Sequence, residues 1–193
     1  LWQRGTGAGS TQLIEFSDTT PNLDFFIDYS DTNLLRRSVN SFVDLNTWRF
    51  YAITWDGSTT AANATMYKDG VAATYEATTD GVGTYNVLPF NIALGFSTTG
   101  TSREVNGQVA YFHLYDRILS LAELEQIRRM PGSVPRGLAL FLPMWGGANE
   151  PDYSGNGNIA ASTGTTVSAL QPGQTVQVQQ LQCAGRPAMG GVA

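Results

Sequence analysis

The apolar and polar positions of this chain alternate over short stretches broken by turn residues. Trp48-Arg49-Phe50-Tyr51-Ala52-Ile53-Thr54-Trp55 is a dense aromatic and β-branched run. In an extended chain Trp48, Phe50 and Ala52 fall on one side and Tyr51, Ile53 and Trp55 on the other. Apolar groups on both sides predict a strand covered on both faces. Asp56-Gly57 ends it with a hairpin-type dipeptide. Thr65-Met66-Tyr67-Lys68, then Asp69-Gly70, then Val71 to Glu76 predict strand, tight turn and strand, because Asp-Gly tolerates positive φ. Asp80-Gly81 marks a further turn. Phe90 to Phe96 alternates, with Phe90, Ile92, Leu94 and Phe96 on one face. In Val109 to Tyr115, Val109, Tyr111, His113 and Tyr115 share one side, and Ala110, Phe112 and Leu114 the other. Gln12 to Phe16 and Asp24 to Tyr29 predict two earlier strands around a Pro21-Asn22 turn. Asn33 to Val39 and Leu138 to Trp145 are further strand candidates.

One helix is expected. Ser120-Leu121-Ala122-Glu123 has the capping-box spacing. Leu121, Leu124 and Ile127 fall on one face, Arg128 and Arg129 suit the negative end of the dipole, and Pro131-Gly132 stops the helix. Turn signals otherwise recur at roughly 8–12-residue spacing, the pattern of an antiparallel sandwich or jelly roll.

Composition narrows the function classes. The 193 residues are 42% apolar and 14% charged, well below the ~25% charged residues of an average domain. Such a chain can bury a sizeable core. Lys68 is the only lysine and the net charge is -5, so the basic face that a nucleic-acid binder needs is missing. No apolar run approaches the ~20 residues of a membrane-spanning helix. The chain opens without a charged-then-apolar leader. One Cys and one His exclude a zinc site built from those residues and leave Cys183 without an internal disulfide partner.

Three stretches together carry a resemblance. The Trp48 to Gly57 run is followed by Met66-Tyr67-Lys68-Asp69-Gly70. Later comes Val105-Asn106-Gly107-Gln108-Val109-Ala110-Tyr111-Phe112-His113-Leu114-Tyr115-Asp116-Arg117-Ile118-Leu119-Ser120, running into Glu123. This arrangement resembles the laminin-G-like, concanavalin A-like lectin/glucanase superfamily. The resemblance implies an all-β, antiparallel jelly-roll β-sandwich with one short helix and an extended C-terminal arm. In that family an early strand ending in Pro and an "Asp-x-Ser-Gly-Asn-Gly-Asn" stretch usually open the domain. Here they lie late, as Leu140-Phe141-Leu142-Pro143-Met144 and Asp152-Tyr153-Ser154-Gly155-Asn156-Gly157-Asn158. The expected organisation is a jelly-roll core over residues 1–130, an extension with one strand and a turn-rich loop over 131–172, and a Gly/Gln-rich arm over 173–193. Within the arm Val176-Gln177-Val178-Gln179 alternates as an edge strand would, and Gln180 to Ala193 reads as an arm. The arrangement leaves three routes open: the chain completes its own fold in permuted fashion, its tail begins a second repeat cut short, or its tail adds a strand to a neighbour.

The candidate chemistry is sparse. Glucanases of this family set two Glu and one Asp on alternate positions of one strand, and no strand here has that spacing. Glu150-Pro151-Asp152 comes nearest, but Pro disrupts a ladder. Asp24 and Asp28 read as solvated carboxylates on a sheet face, and His113 as a satisfied, partly buried group. No enzyme is expected. The resemblance makes calcium a candidate cofactor, with Asp18, Asp31, Asp56, Asp152 and Asn156 as candidate ligands. The alternative for Asp-Gly and Asp-x-Ser-Gly is turn chemistry, with Asp capping its own backbone. Glycan contact would use exposed aromatic rings: Trp2, Tyr29, Trp145 and Tyr153. Asn63-Ala64-Thr65 fits the N-glycosylation sequon.

Two roles remain in view. The first is a non-catalytic surface module, a decoration or coat component of a virus particle or similar extracellular assembly. It would be held by sheet edges and by the arm, with copies of itself or coat neighbours as partners. Laminin-G-like modules with a trailing "Asp-x-Ser-Gly-Asn-Gly-Asn" segment are similar to phage structural proteins, and the low charge suits surfaces that become interfaces. The second is a carbohydrate-binding adhesion module, with calcium assisting. Both place the domain outside the cell or on a virion surface, away from nucleic acid and membrane.

Overall fold

The computed structural model describes residues 2–4, 12–17, 20–85, 92–94, 107–145, 149–161 and 182–183. A six-stranded antiparallel sheet forms one layer. It is built from β1 (Trp2–Arg4), β2 (Gln12–Phe16), β3 (Leu23–Ile27), β4 (Leu34–Ser38), β8 (Tyr75–Thr79) and β9 (Ile92–Leu94), in the order β8-β4-β3-β2-β1-β9. Alternation decides its inner face: Leu23, Phe25 and Ile27 are buried, while Asp24 and Phe26 between them are half-buried. Asp24 takes a bidentate ion pair from Arg37 across the β3–β4 ladder.

The facing layer holds two ribbons. One runs through β5 (Tyr51–Thr54), β6 (Thr65–Lys68) and β7 (Val71–Ala72); the other pairs β11 (Phe112–Tyr115) with β12 (Leu138–Leu142). Leu23, Phe25, Ile27 and Leu34 of the large sheet pack with Met66, and Tyr51, Ile53 and Trp55 lie against them. Leu94 packs with Leu140 and Leu142, joined by Phe112 and Leu114. Helix α1 (Leu121–Arg129) covers the outside of the facing layer. Its Leu124 and Ile127 meet Phe50, Leu119 and Val134, with Ala52, Tyr67 and Tyr115 at the margin. The apolar groups on both sides of the Trp48–Trp55 run are thus covered, one side by the large sheet and the other by the helix. The described residues form the antiparallel β-sandwich that the alternation predicts.

The capping box is present: Ser120 Oγ accepts the Glu123 N–H, and the Glu123 carboxylate accepts the Ser120 N–H. Arg117 forks onto the same carboxylate, and together these hold Glu123 at about 2, below its ordinary 4.5. Leu121, expected on the buried face, is exposed. The buried face of α1 is carried by Leu124 and Ile127 alone.

Several boundaries differ from the pattern. The run from Val71 to Glu76 divides into β7 and β8, which enter different sheets. On the N-terminal side Trp48, Arg49 and Phe50 lie outside β5, and Asp44 and Asp69 hold the latter two. Arg49 bridges both carboxylates, and the Phe50 N–H donates to Asp69 Oδ1. β11 starts only at Phe112 because Tyr111 has φ 54°. Met144, at φ 62°, breaks the extended run expected to continue to Trp145, and β12 ends at Leu142. Two short pairs complete the described structure: β13 (Asn149–Pro151) with β14 (Ile159–Ala161), and β10 (Gly107–Gln108) with β15 (Gln182–Cys183). Gln182 and Cys183, within the expected arm, pair with β10 of the same chain. The strand expected over 176–179 lies outside the described residues.

Candidate functional site

The Asp152–Asn158 loop seals the outer edge of β12 with side chains in place of a strand. The Phe141 N–H donates to Asp152 Oδ1 at 3.1 Å, and Phe141 O accepts the Tyr153 N–H at 2.9 Å. The Asn156 amide donates to Leu138 O and Ala139 O. The Asn158 amide reaches Ala139 O at 3.0 Å and Asp152 Oδ2 at 2.6 Å. Short polar residues mimic backbone groups in this way, and Gly155 and Gly157 supply the positive φ the loop needs.

Asp152 is the hub of the loop. It also accepts the Ser154 N–H, the Ser154 hydroxyl and the Asn158 N–H. Burial alone would raise its pKa. The hydrogen bonds from Ser154, Phe141 and Asn158 outweigh burial and hold the carboxyl at about 2, below its ordinary 3.8.

This frame presents two aromatic rings. Trp145 is 58% exposed and Tyr153 is 52% exposed. Their rings meet edge to face at 5.2 Å and 64°. The backbone under each ring is pinned: the Trp145 N–H donates to the buried Glu150 carboxylate, and the Tyr153 N–H to Phe141 O. A ladder of rings continues inward from Tyr153 to Phe141 at 6.2 Å and from Phe141 to His113 at 4.2 Å, nearly parallel. His113 accepts the Gly132 N–H at Nε2, so its Nδ1–H donates to Tyr111 O. Burial pushes its pKa down to about 4, against the opposing bond to Tyr111. A neutral imidazole bonded at both nitrogens is the satisfied, partly buried group that the sequence predicts, and the structure adds its stack on Phe141.

The four candidate sugar-contact residues separate. Trp145 and Tyr153 come together at the surface. Tyr29 does not join them: it is 6% exposed, packs against Tyr85 and donates its hydroxyl to Ser58 O. A ring closed on both faces offers no platform, and Tyr29 is a core residue. Trp2 stands in β1 opposite Ile14 and Leu94; its side chain lies outside the described residues.

The calcium ligands also fail to converge. Asp18 lies outside the described residues. Asp31 is exposed between β3 and β4, and Asp56 accepts from Ser58 and Asn63 in another loop. Asp152 already receives five hydrogen bonds, and Asn156 turns its Nδ2 to backbone oxygens. Among the described residues no three His, Cys, Asp or Glu side chains are grouped to hold a metal ion. The set does not fit calcium, which wants six to eight oxygens with free lone pairs. The turn chemistry of the Asp-x-Ser-Gly stretch accounts for these residues instead.

A family model described as the concanavalin A-like lectin/glucanases superfamily matches residues 3–125. The chain belongs to this superfamily. No curated protein and no solved structure matches the chain. The superfamily match ends within α1, so the aromatic pair and its loop lie beyond the matched residues. Two parts of the site escape sequence reasoning. The backing of Tyr153 by Phe141 and His113 joins residues from β11, β12 and the loop, and no spacing reports it. The edge-sealing role of Asn156 and Asn158 was legible only as turn chemistry.

Proposed function

We propose that this concanavalin A-like domain is a non-catalytic carbohydrate-binding module whose sugar contact is the Trp145–Tyr153 pair. The observation that carries the reading is the exposure of two large rings on a hydrogen-bonded frame. An exposed aromatic face packs well against the C–H face of a pyranose, and fixing the ring beforehand lowers the ordering cost of binding. The superfamily name spans lectins and glucanases. The glucanase reading finds little support, since Glu150 is buried under the Trp145 N–H and Asp152 is taken up by its own loop. The reading places the domain where glycans are displayed, outside the cell or on a particle surface.

Glycan arrays followed by calorimetry test it. The unmodified chain is expected to bind a glycan class, and Trp145→Ala and Tyr153→Ala to abolish that binding with the thermal transition kept. Binding that survives both changes would sink the reading. Because the calcium ligands do not converge, chelation is expected to leave affinity unchanged.

The coat or decoration role is the other reading. It draws on sheet edges and on the arm to reach a neighbour, whereas Gln182–Cys183 of the arm pairs with Gly107–Gln108 of the same chain. The geometry therefore favours the glycan reading. Light scattering on the full chain and on a chain ending at Gln171 separates the two. A multimer that falls to monomer on truncation would return the assembly role to first place.

A further inference from the structure

The hairpin that carries Tyr153 turns one face to solvent. β13 and β14 set Asn149 opposite Ala161, Glu150 opposite Ala160 and Pro151 opposite Ile159. Side chains alternate along each strand, and cross-strand partners share a face. Glu150 and Ala160 are buried on one face, while Asn149, Pro151, Ile159 and Ala161 are exposed on the other. Ile159 is 89% exposed. A lone exposed aliphatic side chain is ordinary. Here Pro151 is its direct partner, Tyr153 stands two residues beyond Pro151, and Trp145 meets Tyr153 at 5.2 Å. Four apolar side chains gather on one short hairpin and its approach.

The polar groups beside them are selective. Residues 137–185 contain no Lys or Arg. Their two acids are engaged: Glu150 is buried and accepts the Trp145 N–H, and Asp152 holds its own loop. An anionic group would find no counter-ion on this segment, in a chain of net charge -5. Asn156 and Asn158 are exposed, and both turn Nδ2 to Ala139 O; Asn156 also reaches Leu138 O and Asn158 the Asp152 carboxylate. Those oxygens can only accept, which fixes the orientation of both amides. Each Oδ1 is then an acceptor without a hydrogen-bond partner among the described residues. Trp145 Nε1–H is likewise a donor without one.

Resting on the reading of Trp145 and Tyr153 as the sugar contact, we propose that the site selects neutral glycans bearing an acetamido group, with Ile159 meeting the acetyl methyl. An acetamido group joins a methyl, an N–H donor and a carbonyl acceptor in one small plane. The hairpin offers a counterpart to each: Pro151 and Ile159 for the methyl, the Asn156 and Asn158 Oδ1 atoms for the N–H, and Trp145 Nε1–H for the carbonyl. A hydroxyl at the same sugar position would bring no apolar group to Ile159 and would lose water against it. A methyl alone, as in a 6-deoxy sugar, would leave the carboxamide oxygens to water. A carboxylated or sulfated sugar would meet no cation.

Calorimetry on the full chain tests the proposal. The probes are triacetylchitotriose and an N-acetylgalactosamine disaccharide, each against its hydroxyl counterpart, cellotriose and galactobiose. At least one acetamido sugar is expected to bind at least about tenfold more tightly than its counterpart. Ile159→Ser is expected to weaken that binding about fivefold and Ile159→Val to retain it, both with the thermal transition kept, since the side chain is exposed. Equal or tighter binding of the hydroxyl sugars, or an unchanged affinity in Ile159→Ser, would overturn this inference while leaving the ring pair as a glycan site. Failure of both acetamido sugars to bind would overturn it as well. Acetamido binding that is indifferent to Trp145→Ala and Tyr153→Ala would sink the ring-pair reading and this inference together.

Discussion

Asp152 stands to Phe141 as a neighbouring strand would. Its Oδ1 accepts the Phe141 N–H at 3.1 Å, and the next residue returns a donor to Phe141 O. One side chain and one amide thus close a sheet edge that would otherwise template pairing with another chain. The same two residues set the aromatic site, since Phe141 packs under Tyr153.

Replacing Asp152 is expected to loosen the loop rather than the sandwich. Asp152→Ala leaves the Phe141, Ser154 and Asn158 donors without their acceptor, a cost of about 1–3 kcal/mol. Thermal unfolding measures it. The carboxyl lies near 2 in the folded chain against an ordinary 3.8, so the unfolded chain binds more protons between those values. The contribution is therefore complete above about pH 4 and lost as pH falls through about 2. The acid limb of stability against pH should be shallower in Asp152→Ala.

His113 gives the same sign of pH dependence at higher pH, here from burial of a neutral imidazole. Its folded pKa near 4 lies below the ordinary 6.5, so the unfolded chain again binds the extra proton. Stability is expected to be complete above about pH 6.5 and to fall between there and about pH 4, by up to about 3 kcal/mol. NMR titration of the single imidazole checks the pKa directly. His113→Gln should remove the pH dependence in this window at the cost of the Phe141 stack.

Gly132 holds the other side of that imidazole. It has φ 77°, and a Cβ there would meet Phe141 Cε1 at 2.7 Å. Gly132→Ala combines left-handed strain with a displaced ring and is expected to cost about 1–3 kcal/mol. If the ladder supports Tyr153, this variant also weakens glycan binding without touching an exposed residue. Calorimetry at a temperature where the variant is folded checks both effects.

Trp145 and Tyr153 should behave differently from the core rings. Each is more than half exposed, so truncation to Ala is expected to change stability by less than about 1 kcal/mol. Phe25→Ala, at 5% exposure between the layers, should cost about 3–5 kcal/mol. Denaturant unfolding of the three variants makes the comparison.

Local chemistry wrote much of this fold plainly. The alternation of Leu23, Phe25 and Ile27, the Asp69-Gly70 turn and the Ser120–Glu123 capping box each depend on a few neighbouring residues, and each appears where the sequence places it. The Asp152–Asn158 turn stretch was equally plain, because Asp, Ser and Asn compete for nearby backbone groups wherever they stand. Tyr29 and Tyr153 show the limit. Both are tyrosines in polar stretches, yet one is sealed against Tyr85 and the other lies open beside Trp145. Likewise, nothing local divides Val71–Glu76 between two sheets or stacks His113 on Phe141. The sequence alone determined an antiparallel sandwich, its helix and its turns, because backbone preference and side-chain period act over a handful of residues. Only the tertiary structure decided which rings meet, because burial belongs to surfaces brought together from distant parts of the chain.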